Sequence, residues 1–229
     1  MVSKSRRPES QRHARRGRGQ GEARRRGRPP GRSSGEETRD RIVAAAITLF
    51  SENGYGSTAV RDIAHRAKVR VSTLYHYFRS KEAIYAAVQE RVEIAVRDIV
   101  VSCLDQDLEM KDLVRLLIER LFDFMREHRD ESRLAFELVL GRVGAWEHPN
   151  PRHWVGLAEG VMRPAVARGV MKEIDPALFI VSVDALLHWH VVNEGVYRHT
   201  LGSDLRNAGT AERAKRHIVQ LILRGLGLE

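Results

Sequence analysis

The spacing of apolar residues is the strongest constraint on this chain. Ile42, Ala45, Ala46, Leu49 and Phe50 recur at i, i+3, i+4, i+7 and i+8, which is one face of an amphipathic helix. From Lys111 onward Leu113, Leu116, Leu117, Leu121, Phe124 and Met125 make a second such stripe. No stretch of useful length alternates apolar and polar residues, and no internal repeat is present. The expected fold class is therefore all-α.

Start and stop signals divide the pattern. Ser34 and Glu37 have capping-box spacing, and Asn53-Gly54 is a stop. Ser57 or Thr58 can cap a second helix with the stripe Val60, Ile63, Ala64 and Ala67. After a break at Lys68-Val69-Arg70, a third helix turns Leu74 and Phe78 inward, and Ser80 caps a fourth running to about Ser102. Further helices are expected at 131–140, about 152–168 and about 176–197, the last opened by Asp175-Pro176. Gly141–Pro151 reads as a loop, Arg168-Gly169 as a stop, and Thr210 as the cap of a final helix ending near Gly225. The second and third helices, joined by a tight turn, form a helix-turn-helix unit.

Composition bounds the partners. A chain of 229 residues with 42% apolar content suits one or two folded cores. Cys103 is the only cysteine, which fits a reducing cytoplasm. No apolar run is long enough to span a bilayer, and no apolar segment follows the basic N-terminus as in a secretory signal. Residues 1–33 hold twelve Lys and Arg against two Glu, so this arm carries the whole excess of a chain whose net charge is +9. It has almost no large apolar side chains and reads as disordered. Its charge favours a polyanion.

Several runs carry a family resemblance: Thr38-Arg39-Asp40-Arg41-Ile42, Leu49-Phe50, Gly54-Tyr55, Thr58, Val60-Arg61-Asp62-Ile63-Ala64, Ala67, Val69, Thr73-Leu74-Tyr75, Tyr77-Phe78 and Ser80-Lys81-Glu82. Over Thr38 to Val88 the chain resembles the TetR family of bacterial regulators. The resemblance implies an N-terminal DNA-binding domain and a C-terminal helical half for dimerisation and ligand sensing. The expected organisation is a basic arm at 1–33, a helix-turn-helix domain at 34–80 with its motif at about 58–77, a connecting helix at 81–102, and a sensing domain at 103–229. Two departures stand out. Lys68 occupies a turn position where the family usually has glycine, and Arg70-Val71-Ser72 replaces the common Ser-Lys-Gly. Lys68 should then adopt positive φ.

In a helix-turn-helix the N-terminal residues of the recognition helix reach base edges in the major groove. Those positions are Arg70, Val71, Ser72 and Thr73, then Tyr75 and His76. Arg70 suits bidentate pairing with guanine, Val71 a thymine methyl, and Ser72 and Thr73 bases or phosphates. Thr58 and Lys81 lie at helix N-termini that favour phosphate. Tyr77 reads as packing. Arg26-Gly27-Arg28-Pro29 resembles an AT-hook core, with Arg26 and Arg28 entering a narrow minor groove. A nonspecific polybasic tail is the alternative.

The expected partners are a double-stranded palindromic operator, a second copy and an unidentified small-molecule effector, without a membrane. The helix at 176–197 is apolar on nearly every side, so it must be covered all round. Leu186 and Trp189 on it, with Ile218, Leu221 and Ile222 on the last helix, are the candidate dimer contacts. One large monomer core is the alternative. Candidate pocket residues are Phe122, Met125, Trp146, Trp154, Met162, Asp184 and His188. Asp184 and His188 sit one turn apart and also read as a plain hydrogen-bonded pair. His188 and His190 point to different faces, against a metal site. No catalytic motif and no cofactor signature is found, so an enzyme is not expected. The leading reading is a ligand-responsive repressor; a ligand-independent, nucleoid-type DNA-binding protein is the alternative.

Overall fold

The computed structural model describes residues 34–139 and 152–229. The expected disordered arm with Arg26 and Arg28, the loop at 141–151 and Trp146 lie outside the described residues. Ten helices are described: α1 (Ser34–Ser57), α2 (Val60–Arg66), α3 (Val71–Tyr77), α4 (Lys81–Leu104), α5 (Met110–Glu127), α6 (Arg129–Val139), α7 (His153–Ala167), α8 (Pro176–Val192), α9 (Glu194–Leu201) and α10 (Ala208–Leu226). No strand occurs among the described residues, so the chain is all-α.

Two apolar cores organise them. The first gathers Ile42, Ala46 and Phe50 of α1, Ile63 of α2, Leu74 of α3 and Ile84, Tyr85 and Val88 of α4. One residue from far along the chain, Leu134 of α6, completes it. The second gathers Ile118, Phe122 and Met125 of α5, Met162 of α7, Leu187 and Val191 of α8, and Ile218 and Ile222 of α10. Between the two, α6 also tethers to the first core by hydrogen bonds. Tyr85 Oη donates to the Leu134 carbonyl at 2.9 Å, and Arg133 donates to the Ser51 carbonyl at 3.2 Å.

Several local expectations are corrected. Ser34 is already helical, and its carbonyl accepts from Thr38, so it is not the N-cap of α1. Gly54 breaks the helix with φ 78°, as its lack of a Cβ allows, but one further turn continues to Ser57. Neither Ser57 nor Thr58 caps α2. Ala59 holds that position without a side-chain bond. The Thr58 hydroxyl is buried and turned backward, donating to the Gly54 carbonyl at 2.8 Å and lying 3.1 Å from that of Leu49. The helix expected over 176–197 ends at Val192, and the chain bends by 70° into α9. Asn193 makes the break, its side-chain amide donating to the Trp189 carbonyl. Glu194 is then drawn inward to Arg129 at 2.5 Å, and Arg198 and Arg206 also approach it. Thr210 does not cap α10; Asn207 does, accepting from the Thr210 amide at 3.0 Å.

Other signals act as read. Ser80 caps α4 by accepting from Ala83 N. Asp175 caps α8 by accepting from Ala177 N and Leu178 N, with Pro176 in the first turn. Gly169 takes φ 70° after α7. Among the described residues no single helix is long and apolar enough to cross a membrane.

Candidate nucleic-acid interface

The turn between α2 and α3 is fixed by its backbone. The Val69 amide donates to Ala64 and the Lys68 amide to His65, each at 3.0 Å. This is the paired ending that requires a left-handed residue one position past the cap. Lys68 supplies it with φ 56°, the only positive φ at a non-glycine among the described residues. The residue after it, Val69, packs back on the first core. Lys68 itself is exposed.

Leu74 is fully buried and Phe78 nearly so, which anchors α3 by one face. The opposite face is open. Arg70, Val71, Ser72, Tyr75 and His76 are exposed, and Thr73 is half-buried. Val71 and Tyr75 are large apolar side chains left 41% and 49% exposed on a domain that buries its other large residues well. Tyr77 is half-buried and packs against the first core, as its packing role requires. Arg70 is the N-cap residue of α3 but makes no side-chain cap bond, so its guanidinium is not tied to the helix end. The exposed cations Arg61 and Arg66 of α2, Lys68 of the turn and Arg79 beyond α3 flank this face. Arg61, Arg66 and Arg79 were not among the expected DNA contacts, although basic residues at the edges of a recognition helix are the usual phosphate partners.

Lys81 and Thr58 sit differently from expectation. Lys81 Nζ donates to the carbonyls of Tyr55 at 2.8 Å and Thr58 at 3.1 Å, with that of Gly56 at 3.5 Å. It also lies 4.2 Å from the centre of the Tyr55 ring. The ammonium thus closes the frayed end of α1, where carbonyls lack helical partners. Next to it, Tyr55 Oη donates to Glu82 at 2.6 Å. That bond, with the backbone amide of Glu82 and Ser80, holds the Glu82 carboxyl down at about 2. Burial, then Glu82, pushes the Tyr55 hydroxyl up. A ladder of side chains thus locks the start of α4 to the end of α1. With the Thr58 hydroxyl facing carbonyls, both side chains brace the domain.

In the C-terminal half, Phe122, Met125 and Met162 are buried in the second core, and Trp154 is half-buried. His188 is buried, and its Nδ1 lies 3.1 Å from the carboxylate and 3.0 Å from the carbonyl of Asp184, itself half exposed. Phe136 of α6 stacks on the imidazole at 4.7 Å. Burial pushes the His188 pKa down, but the hydrogen bond and charge of Asp184 outweigh it, and the net shift is upward. The candidate dimer contacts divide. Trp189 and Leu221 are 60% and 51% exposed. Ile218 and Ile222 are buried in the subunit's own core, and Leu186 packs against it. These three are therefore corrected to packing residues: two apolar faces of α10 were visible in the sequence, but not which one faces inward. The open stripe on α8 is instead Leu178, Val181, Ala185 and Trp189, at intervals of three and four.

A three-helix head of this shape, with an anchored and otherwise open third helix after a tight turn, defines a helix-turn-helix DNA-binding protein. Residues 42–88 match the family of bacterial regulatory proteins called the tetR family. The chain is 27% identical over 201 residues to the HTH-type transcriptional repressor NicS of Pseudomonas putida, covering 83% of this chain and 93% of that protein. It is 47% identical over 47 residues to IcaR, a negative transcriptional regulator of a biofilm operon in Staphylococcus aureus, a match spanning 20% of this chain and 25% of that one. Its fold is similar to that of FadR from Bacillus subtilis, solved in complex with stearoyl-CoA, with TM-score 0.59 and 18% identity over 82% of this chain and 98% of that one. Over residues 42–88 the chain thus carries a DNA-binding domain of the tetR family, and along most of its length it is similar to a transcriptional repressor.

Proposed function

We propose that the chain is a ligand-responsive homodimeric repressor of a palindromic operator, acting in the cytoplasm. The observation that carries this reading is the open face of α3, with Arg70, Val71, Ser72, Tyr75 and His76 exposed above the buried Leu74. Arg70 reads guanine, Val71 a thymine methyl, and Ser72, Thr73, Tyr75 and His76 contact bases or phosphates. The arm at 1–33, with Arg26 and Arg28, adds salt-dependent affinity. Two similar proteins are named as a repressor and a negative regulator, which supports repression.

The C-terminal half, from 103 on, dimerises and senses. The stripe Leu178, Val181, Ala185 and Trp189 of α8, and Leu221 of α10, leave large apolar side chains open to water. A second copy is the natural cover for an open apolar surface of this kind. The complex of FadR with stearoyl-CoA supports a small-molecule effector. Effector binding reaches the DNA head through α6, whose Leu134 sits in the head's core and whose Arg133 holds Ser51. A shift of α6 would carry α1 and α4 with it and change the separation of the two recognition helices.

The test is a binding series on operator variants. Arg70→Ala should relax base preference at one position of each half-site, by ~1–3 kcal/mol. An unchanged ranking of variants would remove Arg70 as a base reader. Equal affinity for every duplex, from wild type as well, would favour the nucleoid-type alternative.

A further inference from the structure

A cavity of about 570 Å³ opens between the end of α8, α9 and the outer side of α10. None of Phe122, Met125, Trp154, Met162, Asp184 or His188 lines it, so it lies apart from the pocket nominated from sequence. Its size falls within the ~300–1,000 Å³ usual for small-molecule sites. Its walls are of two kinds. Trp189, Val196 and Leu201 give apolar surface, each between 43% and 60% exposed. Arg213, Arg216 and His217 of α10 give cationic or hydrogen-bonding surface, and no acidic residue lines the cavity among the described residues.

The cations are not equivalent. Arg216 is held by Glu212, with Nε 3.4 Å from its carbonyl and 3.9 Å from its carboxylate. Arg213 has no ion-pair or hydrogen-bond partner among the described residues and is exposed. A free guanidinium in the same cavity as an exposed indole, with no carboxylate among the described lining residues, matches a ligand with one acid group and a flat apolar body. His190 adds a neutral wall. Its Nδ1 is hydrogen-bonded to the Tyr197 hydroxyl, and burial followed by the neighbouring His217 pushes its pKa down.

We propose that this cavity binds an amphipathic organic carboxylate, with the carboxylate on Arg213 beside His217 and an aromatic or short alkyl body on Trp189, Val196 and Leu201. The binding stands independently of DNA; only its regulatory consequence rests on the ligand-responsive reading above. Trp189 also ends the apolar stripe of α8, so an occupant sits at the rim of the surface on which the second copy is expected. A bound acid there alters the packing of the two subunits and hence the spacing of the heads.

The test is calorimetric titration of the full chain with 2-naphthoate and with 2-naphthalenemethanol, which has the same body without the charge. The acid should bind at least tenfold more tightly than the alcohol. Arg213→Gln should erase that preference while leaving alcohol binding unchanged. Arg224→Gln, an exposed change on α10 outside the cavity, should keep it. Equal affinity for the two compounds, a preference that survives Arg213→Gln, or binding of neither compound would overturn the proposal. A parallel gel-shift arm separates the two readings. A chain that binds no operator yet keeps the Arg213-dependent preference loses the regulator reading and keeps the site.

Discussion

Lys68 holds a backbone conformation that its side chain opposes, and a substitution series there has a calculable outcome. The Val69–Ala64 and Lys68–His65 bonds require a left-handed residue, and Lys68 meets that need at φ 56°. A Cβ in that region costs ~1–2 kcal/mol. The Lys68 side chain is exposed and makes no ion pair among the described residues, so truncating it removes no ion pair there. Against the relief stands the larger unfolded-state entropy of glycine, ~0.4–1 kcal/mol. The net gain for Lys68→Gly is about 0–1.6 kcal/mol, which for a chain of this size is up to ~6 °C in Tm. Lys68→Asn should fall between glycine and lysine, because asparagine tolerates the left-handed region. Lys68→Val should lie below wild type, since a β-branched residue tolerates it least. Thermal melts followed by circular dichroism, at matched salt, give the order. Any ranking in which glycine melts below lysine would mean that the turn draws stability from the Lys68 side chain and that the strain argument fails.

Three further outcomes follow from the same geometry. Lys81→Met should destabilise the DNA-binding head by ~1.5–3 kcal/mol in a salt-insensitive way, the usual loss for charged hydrogen bonds to partly buried carbonyls; urea melts at low and high salt check it, and a loss of DNA affinity with unchanged stability would return Lys81 to phosphate binding. Replacing both Leu178 and Leu221 by Glu should give folded monomers, because both side chains are exposed within one subunit; sedimentation of a still-dimeric variant would move the interface elsewhere. For Asp184→Asn the sign follows from His188, whose folded pKa lies above its ordinary 6.5. The stability it contributes is fully present below about 6.5 and is lost as pH rises through the folded value. The wild-type advantage over Asp184→Asn should therefore shrink between pH 5 and pH 9, and an advantage that grows with pH would refute the pairing.

The parts of the fold legible in the sequence are those fixed by neighbours along the chain. Ser80, Asp175-Pro176 and Gly169 cap or stop helices through bonds spanning a few residues. The left-handed turn at Lys68 was readable for the same reason. What escaped depends on distant partners. The break at Asn193 puts Glu194 beside Arg129, more than sixty residues earlier, and no local pattern announces that pairing. Lys81 finds carbonyls more than twenty residues back, so its bracing role was hidden behind its position at a helix start. The last helix is apolar on two faces, and only the packing of α5 and α8 decides that Ile218 and Ile222 point inward while Leu221 stays out. The cavity beside α9 was invisible because no local pattern announces the bend that forms it.

On the proposed function, two copies of α3 should read two half-sites of one duplex. Selection of bound DNA from a random pool tests it most directly, using the full chain at a salt concentration high enough to suppress nonspecific binding by the arm. The expected result is enrichment of an inverted repeat whose half-site centres lie about one helical turn apart, or a multiple of it, ~34–36 Å per turn. Enrichment of a lone half-site, or of no motif at all, would contradict it.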